Sequence, residues 1–230
     1  MNISVTFPEN SKTKHLSPEQ IEAFGRRVEE IRQNIMSDIG EKDAKYIYKI
    51  RNFVRYSEIS SRALLMFGGW LPPVWLVGTG LLGISKIVEN MELGHNVMHG
   101  QFDWLNDPSL NGANYDWDTM ATGDDWKYTH NYVHHTYTNI VGKDHDIGYG
   151  LLRVSESQKW EPRFLLNIPL AIQLMVFFEW YVGVQNLHLE DALIYKTKTW
   201  KQVWADATKF RKKARRQILK DYVFFPVIAG

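Results

Sequence analysis

Five of the chain's eight histidines fall in two short stretches: "HNVMH", with His95 and His99, and "HNYVHH", with His130, His134 and His135. In each stretch two histidines stand at i and i+4, neighbours on one helical face. His135 follows His134 directly. Neutral imidazole suits zinc, copper, iron and nickel, and a pair at this spacing can point two nitrogens at one ion. The chain has no cysteine, which excludes disulfides, thiolate metal sites and iron–sulfur clusters. Any metal must be held by histidines and carboxylates. Five nitrogens exceed what a four-coordinate zinc takes, so two ions, each partly ligated, suit the count better. A lone HxxxH is common on solvated helix faces. Two such clusters after a membrane-length apolar run point instead to metal binding.

The elements that must position these histidines are helical. "LSPEQIEAFGRRVEEIRQNIMSDIG" predicts a helix with Ser17 as N-cap, Pro18 at its first position and Gln20 completing a capping box. Ile21, Phe24, Val28, Ile31 and Ile35 share one face, and Gly40 is the expected stop. Met1 to His15 reads as a mobile tail, and a second polar helix covers roughly Asp43 to Ser60. Ala63 to Ile84 is a run of 22 residues without a charge, long enough for one span of a bilayer about 30 Å thick. Pro72-Pro73 leaves a second arrangement open: a short helix, a break, and a longer helix running through Glu89 towards His99. Phe164 to Val184 is a further apolar stretch of 21 residues whose one charge is Glu179. The last residues, "YVFFPVIAG", begin another apolar run, from which a truncated chain or fragment is expected.

With 27 Lys and Arg against 26 Asp and Glu, overall charge points to no nucleic-acid partner. Its distribution is uneven. Residues 1–62 carry a net +2, residues 89–162 a net −8 and residues 185–230 a net +6. If each apolar stretch crosses once, the positive-inside rule puts both ends in the cytosol and the histidines outside. If each stretch is a hairpin or re-entrant segment, all three parts share the cytosolic side. The 30 residues between His99 and His130 contain no apolar run, so both clusters lie on one side of any membrane. Nothing in the first 20 residues resembles a signal peptide.

"ELGHNVMHGQFDW" and "DWKYTHNYVHHTYTN" resemble the first two histidine boxes, HX3H and HX3HH, of the membrane fatty acid desaturase family. "GKDHDIGYG" is similar to its bacterial acyl-CoA and acyl-lipid branch. The resemblance implies an all-α integral membrane protein: a polar helical region over 1–62 and a partial desaturase domain over 63–230. It implies multi-pass membrane placement, in the cytoplasmic membrane if the source is bacterial, with the boxes on the cytosolic side. It implies two iron ions, O2 as co-substrate, and a double bond introduced into a long acyl chain carried on CoA or a lipid. Electrons would come from a ferredoxin or cytochrome b5-type protein through a reductase. Abstracting hydrogen from a methylene needs an oxidant that side chains cannot supply, which agrees with a metal site. The Glu-x-x-His pattern of soluble diiron bundles is not evident.

By the resemblance, His95, His99, His130, His134 and His135 would be iron ligands, with no catalytic or cofactor-binding residues beyond them. The family's third box has no counterpart: after His135 only His145 and His188 remain, neither in an HH pair. These residues as they stand are therefore expected to be inactive. His188 is either an additional ligand or a surface histidine, and His145, between Asp144 and Asp146, reads as part of a solvated loop. Glu92 either hydrogen-bonds a ligand or caps the helix. Asp124, Asp125 and Asn131 are candidates to orient the imidazoles, with plain surface exposure as the alternative. Trp104, Trp117 and Trp126 would line an acyl channel or anchor the chain at a membrane interface. The basic run Lys209 to Arg216 suits anionic headgroups, an acidic electron donor, or solvent. Two rivals remain: a hydroxylase of the same histidine-rich membrane group, and a non-catalytic membrane metal-binding remnant.

Overall fold

The computed structural model describes residues 16–144, 146–193 and 196–229. The expectations for a mobile tail over Met1 to His15 and for a solvated His145 lie outside these residues. Among the described residues every regular element is a helix. The chain divides into two compact units, Met1–Tyr46 and Ile47–Gly230.

In the first unit α1 (Pro18–Asp38) starts as its sequence requires. Ser17 Oγ accepts the Gln20 N–H, and Gln20 Oε1 accepts the Ser17 N–H at 2.8 Å. The helix ends just before the expected stop, because the Gly40 N–H instead donates to Asp43 Oδ2 in the first turn of α2 (Glu41–Gly68). No residue of α1 is buried, and Phe24, Val28, Ile31 and Ile35 are exposed.

In the second unit, the run from Ala63 to Ile84 is not one helix. α2 ends at Gly68, and α3 (Pro72–Val88) begins with two prolines in its first turn, where the missing N–H groups are not needed. The two pack antiparallel: Ser85 Oγ donates to the Val54 carbonyl at 2.9 Å, and Gly78 lies against Leu65. The break and the helix running on towards His99 are as the sequence left open, but the segment before the break is not a short helix of its own: it is the end of α2. α3 then continues through a π-helical turn, Glu89–Gly94, into α4 (His95–Met98).

The core is a cluster of Ile47, Val54, Leu93, Val97, Phe102 and Leu110. It presses α2 against the stretch that carries the first histidine pair. Burying each such side chain contributes roughly 1.5–3 kcal/mol. Gly100 (φ +73°) ends this helical run. The following loop closes so tightly that a Cβ on Gly112 would meet the Val97 carbonyl at 2.6 Å.

The second histidine stretch follows α5 (Gly123–Trp126), spans a π turn, Lys127–His134, and ends in α6 (His135–Tyr137). The helical segment Pro162–Gln185, which contains α7 (Asn167–Gln185), is long and apolar enough to cross a membrane by length and composition. Leu165, Ile168 and Met175 on it are more than three-quarters exposed. The one charged residue of α7 is used: Glu179 Oε1 accepts the Met120 N–H at 2.9 Å, fixing α7 to the loop before α5. α8 (Leu189–Leu193) and α9 (Trp200–Gln217) follow. A third π turn, Ile218–Phe224, leads into α10 (Phe225–Ala229).

Candidate metal centre

Both histidine stretches are built on π turns, and the bonding explains why three histidines of "HNYVHH" can act together. In an α-helix, residues five apart point about 140° away from each other. Here the His135 N–H bonds the His130 carbonyl five residues back, a wider turn that brings the fifth side chain round towards the first. The His95 N–H likewise bonds the Asn90 carbonyl. Asn131 joins the two stretches, its Nδ2 donating to the Met98 carbonyl at 2.8 Å, one of the acceptors left over at the end of α4.

The result is one cluster of five imidazoles. Ring centroids lie 4.6 Å apart for His95–His99, 5.1 Å for His95–His130, 4.9 Å for His99–His135 and 5.1 Å for His130–His135. His95 Nε2 and His99 Nε2 are 3.1 Å apart, a separation that calls for a shared proton or a shared cation. Donor atoms of His95, His99 and His130 fit within 4.8 Å of one another, as do those of His130, His134 and Asp146. Burial, with His130 and His135 nearby, lowers the pKa of His95. Burial and the surrounding histidines bring His99 down to about 4, and His135 is lowered by burial, then by His130 and His134. All three are thus neutral at pH 7, the form in which imidazole binds a metal.

The carboxylates that orient the cluster are not those expected. Asp124 is exposed, 3.5 Å from Lys127 Nζ, and Asp125 pairs with Thr122 in the cap of α5. Glu92 accepts from Asn96 Nδ2 at 3.2 Å. The supporting pair comes from the loop after α6. Asp144 lies 3.0 and 3.1 Å from His134 Nδ1, and Asp146 lies 3.1 Å from His130 Nδ1. Asp144 is only 5% exposed and accepts the N–H groups of Asn139 and Asp146 at 2.7 and 3.0 Å. Burial raises its pKa, but these bonds outweigh it and the carboxyl stays below its usual value. The sequence signal was an acidic pair, Asp144 and Asp146, shortly beyond the box in a stretch that otherwise reads as loop.

Trp126 stacks on His130 at 4.5 Å and 22°, and Trp117 packs on Trp126 at 5.2 Å. A cavity of about 150 Å³ opens on the cluster, lined by His95, His130, Trp117, Tyr149, Phe178 and His188 among others. His188 is therefore brought to the site, held with φ +48°. Trp104 does not line this cavity and is exposed. Converging imidazoles with two Nδ1 atoms on carboxylates form a donor set that fits a borderline divalent cation such as iron.

Comparisons with known proteins agree with this chemistry. The fatty acid desaturase family model matches residues 68–230. The chain is 42% identical over 219 residues to a NADPH-dependent stearoyl-CoA 9-desaturase of Mycobacterium tuberculosis, covering 94% of this chain and 50% of that protein. It is 33% identical over 129 residues to the sn-1 linoleoyl-lipid 6-desaturase of a Synechocystis species, covering 54% of this chain and 35% of that protein. The chain thus spans half the length or less of these curated relatives. No solved structure matches it. On the family match and on these relatives, the chain belongs to the fatty acid desaturase family.

Proposed function

We propose that His95, His99, His130, His134 and His135 ligate two iron ions, and that the whole desaturase uses O2 to introduce a double bond into a long acyl chain carried on CoA or a lipid. The observation that carries this is the convergence of five imidazoles, two of them backed by carboxylates. When bound, the irons would supply the oxidising power that no side chain has. In balance, O2 takes two hydrogens from adjacent methylenes with two electrons and two protons, leaving one double bond and two waters. The electrons come from a ferredoxin or cytochrome b5-type donor through a reductase, a supply in keeping with the NADPH dependence in the mycobacterial relative's name.

The chain's own residues prepare the site. Asp144 and Asp146 hold proton-bearing Nδ1 atoms of His134 and His130, which leaves the Nε2 lone pairs for the metals. On this assignment Asp146 holds His130, whose Nδ1 donates its proton and has no lone pair to give, so His130 meets the metal through Nε2. Trp117, Trp126, Tyr149 and Phe178 give the cavity apolar walls suited to an alkyl chain. His188 on the same cavity is a further ligand candidate. The exposed apolar faces of α3 and α7 suit a membrane protein, and the cytosolic side for the histidines rests on the family membership alone.

The test is His134→Ala in the whole desaturase, supplied with donor and reductase, with iron measured by mass and acyl products by gas chromatography. Product should vanish and iron should fall together. Full activity with all iron retained refutes the ligand assignment, and an alcohol product in the unaltered enzyme would make it a hydroxylase.

A further inference from the structure

Trp126 is 7% exposed, and its ring meets three of the five imidazoles. It stacks on His130 at 4.5 Å and stands edge-on to His95 at 5.3 Å and to His99 at 5.4 Å. Trp117 packs on Trp126 in turn, with centroids 5.2 Å apart. Trp117 lines the histidine cavity and also a second cavity of about 470 Å³, between α9 and the loop before α5. Its ring is fixed there by an Nε1–H bond to the Ala121 carbonyl at 2.9 Å. The second cavity is a cationic cleft that carries Lys209, Lys212, Lys213 and Arg216 of α9. His130, Trp126 and Trp117 thus form a line of rings at aromatic contact distances, from the metal centre to that cleft.

Packing alone does not call for indole at both positions. A phenyl ring gives a cavity the same apolar wall, whereas indole brings an N–H that needs a partner and gives up an electron far more readily. Tyr149, on the same cavity, packs on Phe178, a ring too hard to oxidise to pass a charge on. The electron count supplies a use for the indoles. Reducing O2 to two waters takes four electrons, two from the donor and two with the hydrogens of the methylenes. With no acyl chain in place the last two are missing, and the oxidising power falls on the ligands themselves. Excluding such competing reactions is the protein's part in oxygen chemistry. Each indole can supply one electron.

We propose that Trp126 and Trp117 form a one-electron path that drains oxidising equivalents from the histidine cluster to the cleft, sparing the imidazoles when no substrate is bound. This rests on the iron reading and goes beyond it to a self-protecting function. Trp126 gives one electron to the centre and takes one from Trp117. The Trp117 radical cation keeps its N–H on the Ala121 carbonyl, so no proton travels along the path. Solvent protons replace those of the methylenes in the second water. An anionic one-electron reductant of the ascorbate class, drawn by Lys209, Lys212 and Arg216, refills Trp117 at the cleft. Two such transfers make up the two missing electrons.

The test mixes the whole iron-loaded desaturase, without acyl substrate, with hydrogen peroxide. Samples are freeze-quenched for electron paramagnetic resonance, and digested for mass spectrometry of oxidised residues. A radical signal is expected that narrows when ring-deuterated tryptophan is incorporated, with oxidation at Trp117 and the histidines spared. Trp126→Phe should lose the signal and shift oxidation onto His130, and Trp126→Tyr, which restores an oxidisable ring, should spare His130 again. Trp117→Phe should keep the signal but lose its quenching by ascorbate. Trp104→Phe, at an exposed ring that does not line the histidine cavity, should change neither readout. A signal in the unaltered enzyme that deuterated tryptophan leaves unchanged overturns the proposal without any variant. So does histidine oxidation equal in the parent and Trp126→Phe at equal iron content. Iron bound without a tryptophan radical removes this path and leaves the metal reading, whereas an enzyme that takes up no iron removes both.

Discussion

Replacing Asp144 by Asn tests whether the carboxylate pair tunes the histidine centre. The side chain keeps its size and one acceptor oxygen but loses its charge, so it no longer supports a proton-bearing His134 Nδ1 at 3.0 Å. The Asn139 N–H bonds one carboxylate oxygen at 2.7 Å and the Asp146 N–H the other at 3.0 Å, so in either orientation of the amide one of them meets the NH2 and loses its acceptor. Either orientation reduces the basicity of the His134 ring or its alignment. Losses of this kind cost about 10- to 100-fold in metal affinity, or roughly 1.4–2.8 kcal/mol. The assay is anaerobic titration of the metal-free chain with Fe(II) against a competing chelator. Asp124→Asn is the control, since Asp124 is exposed and bonds no histidine, and should bind as the parent does. Equal iron affinity in Asp144→Asn and the parent, with helicity unchanged, would falsify the supporting role of Asp144.

Three further outcomes follow from the same geometry. Asn131→Ala strips the Met98 carbonyl of its 2.8 Å partner and should lower stability by about 1 kcal/mol, read as the denaturant midpoint; an unchanged midpoint means Asn131 does not tie the two stretches. Gly112→Ala puts a Cβ 2.6 Å from the Val97 carbonyl and 3.0 Å from the Gly100 backbone, so about 1–3 kcal/mol should be lost, and a chain as stable as the parent would contradict the close approach. In acid, an unfolded histidine gains its proton near pH 6.5 but folded His99 only near 4, so the unfolded chain binds more protons in between. Stability of the metal-free chain should therefore fall from about pH 6.5 to about 4, and His99→Asn should show a shallower slope; identical slopes would refute the burial of His99.

What the sequence made legible is what depends on near neighbours. The capping box of Ser17 and Gln20 uses atoms three residues apart, and the structure has it as read. The break at Pro72 follows from the chemistry of proline alone, although the apolar run around it also read as one span. The histidine spacing picked out the five candidate ligands as a group, but helical periodicity alone assigns His130 and His135 to different faces. Only the π turn brings them together, and no residue type marks such a turn. The supporting carboxylates were misplaced for a related reason. Asp124 and Asp125 are close to His130 in sequence, whereas Asp144 reaches His134 because the chain turns back after α6, with the Asp144 N–H on the Ile140 carbonyl at 2.9 Å. Glu179 read as a lone charge in an apolar helix, and its partner, the Met120 N–H, is 59 residues away.

Iron K-edge X-ray absorption on the Fe(II)-loaded chain examines the centre itself. The account predicts a nitrogen-dominated coordination shell with the outer-shell scattering of several imidazoles, reduced in His99→Ala and again in His99→Ala/His134→Ala. A spectrum without imidazole scattering, or one identical in parent and double variant, would contradict the claim that these histidines hold the metal.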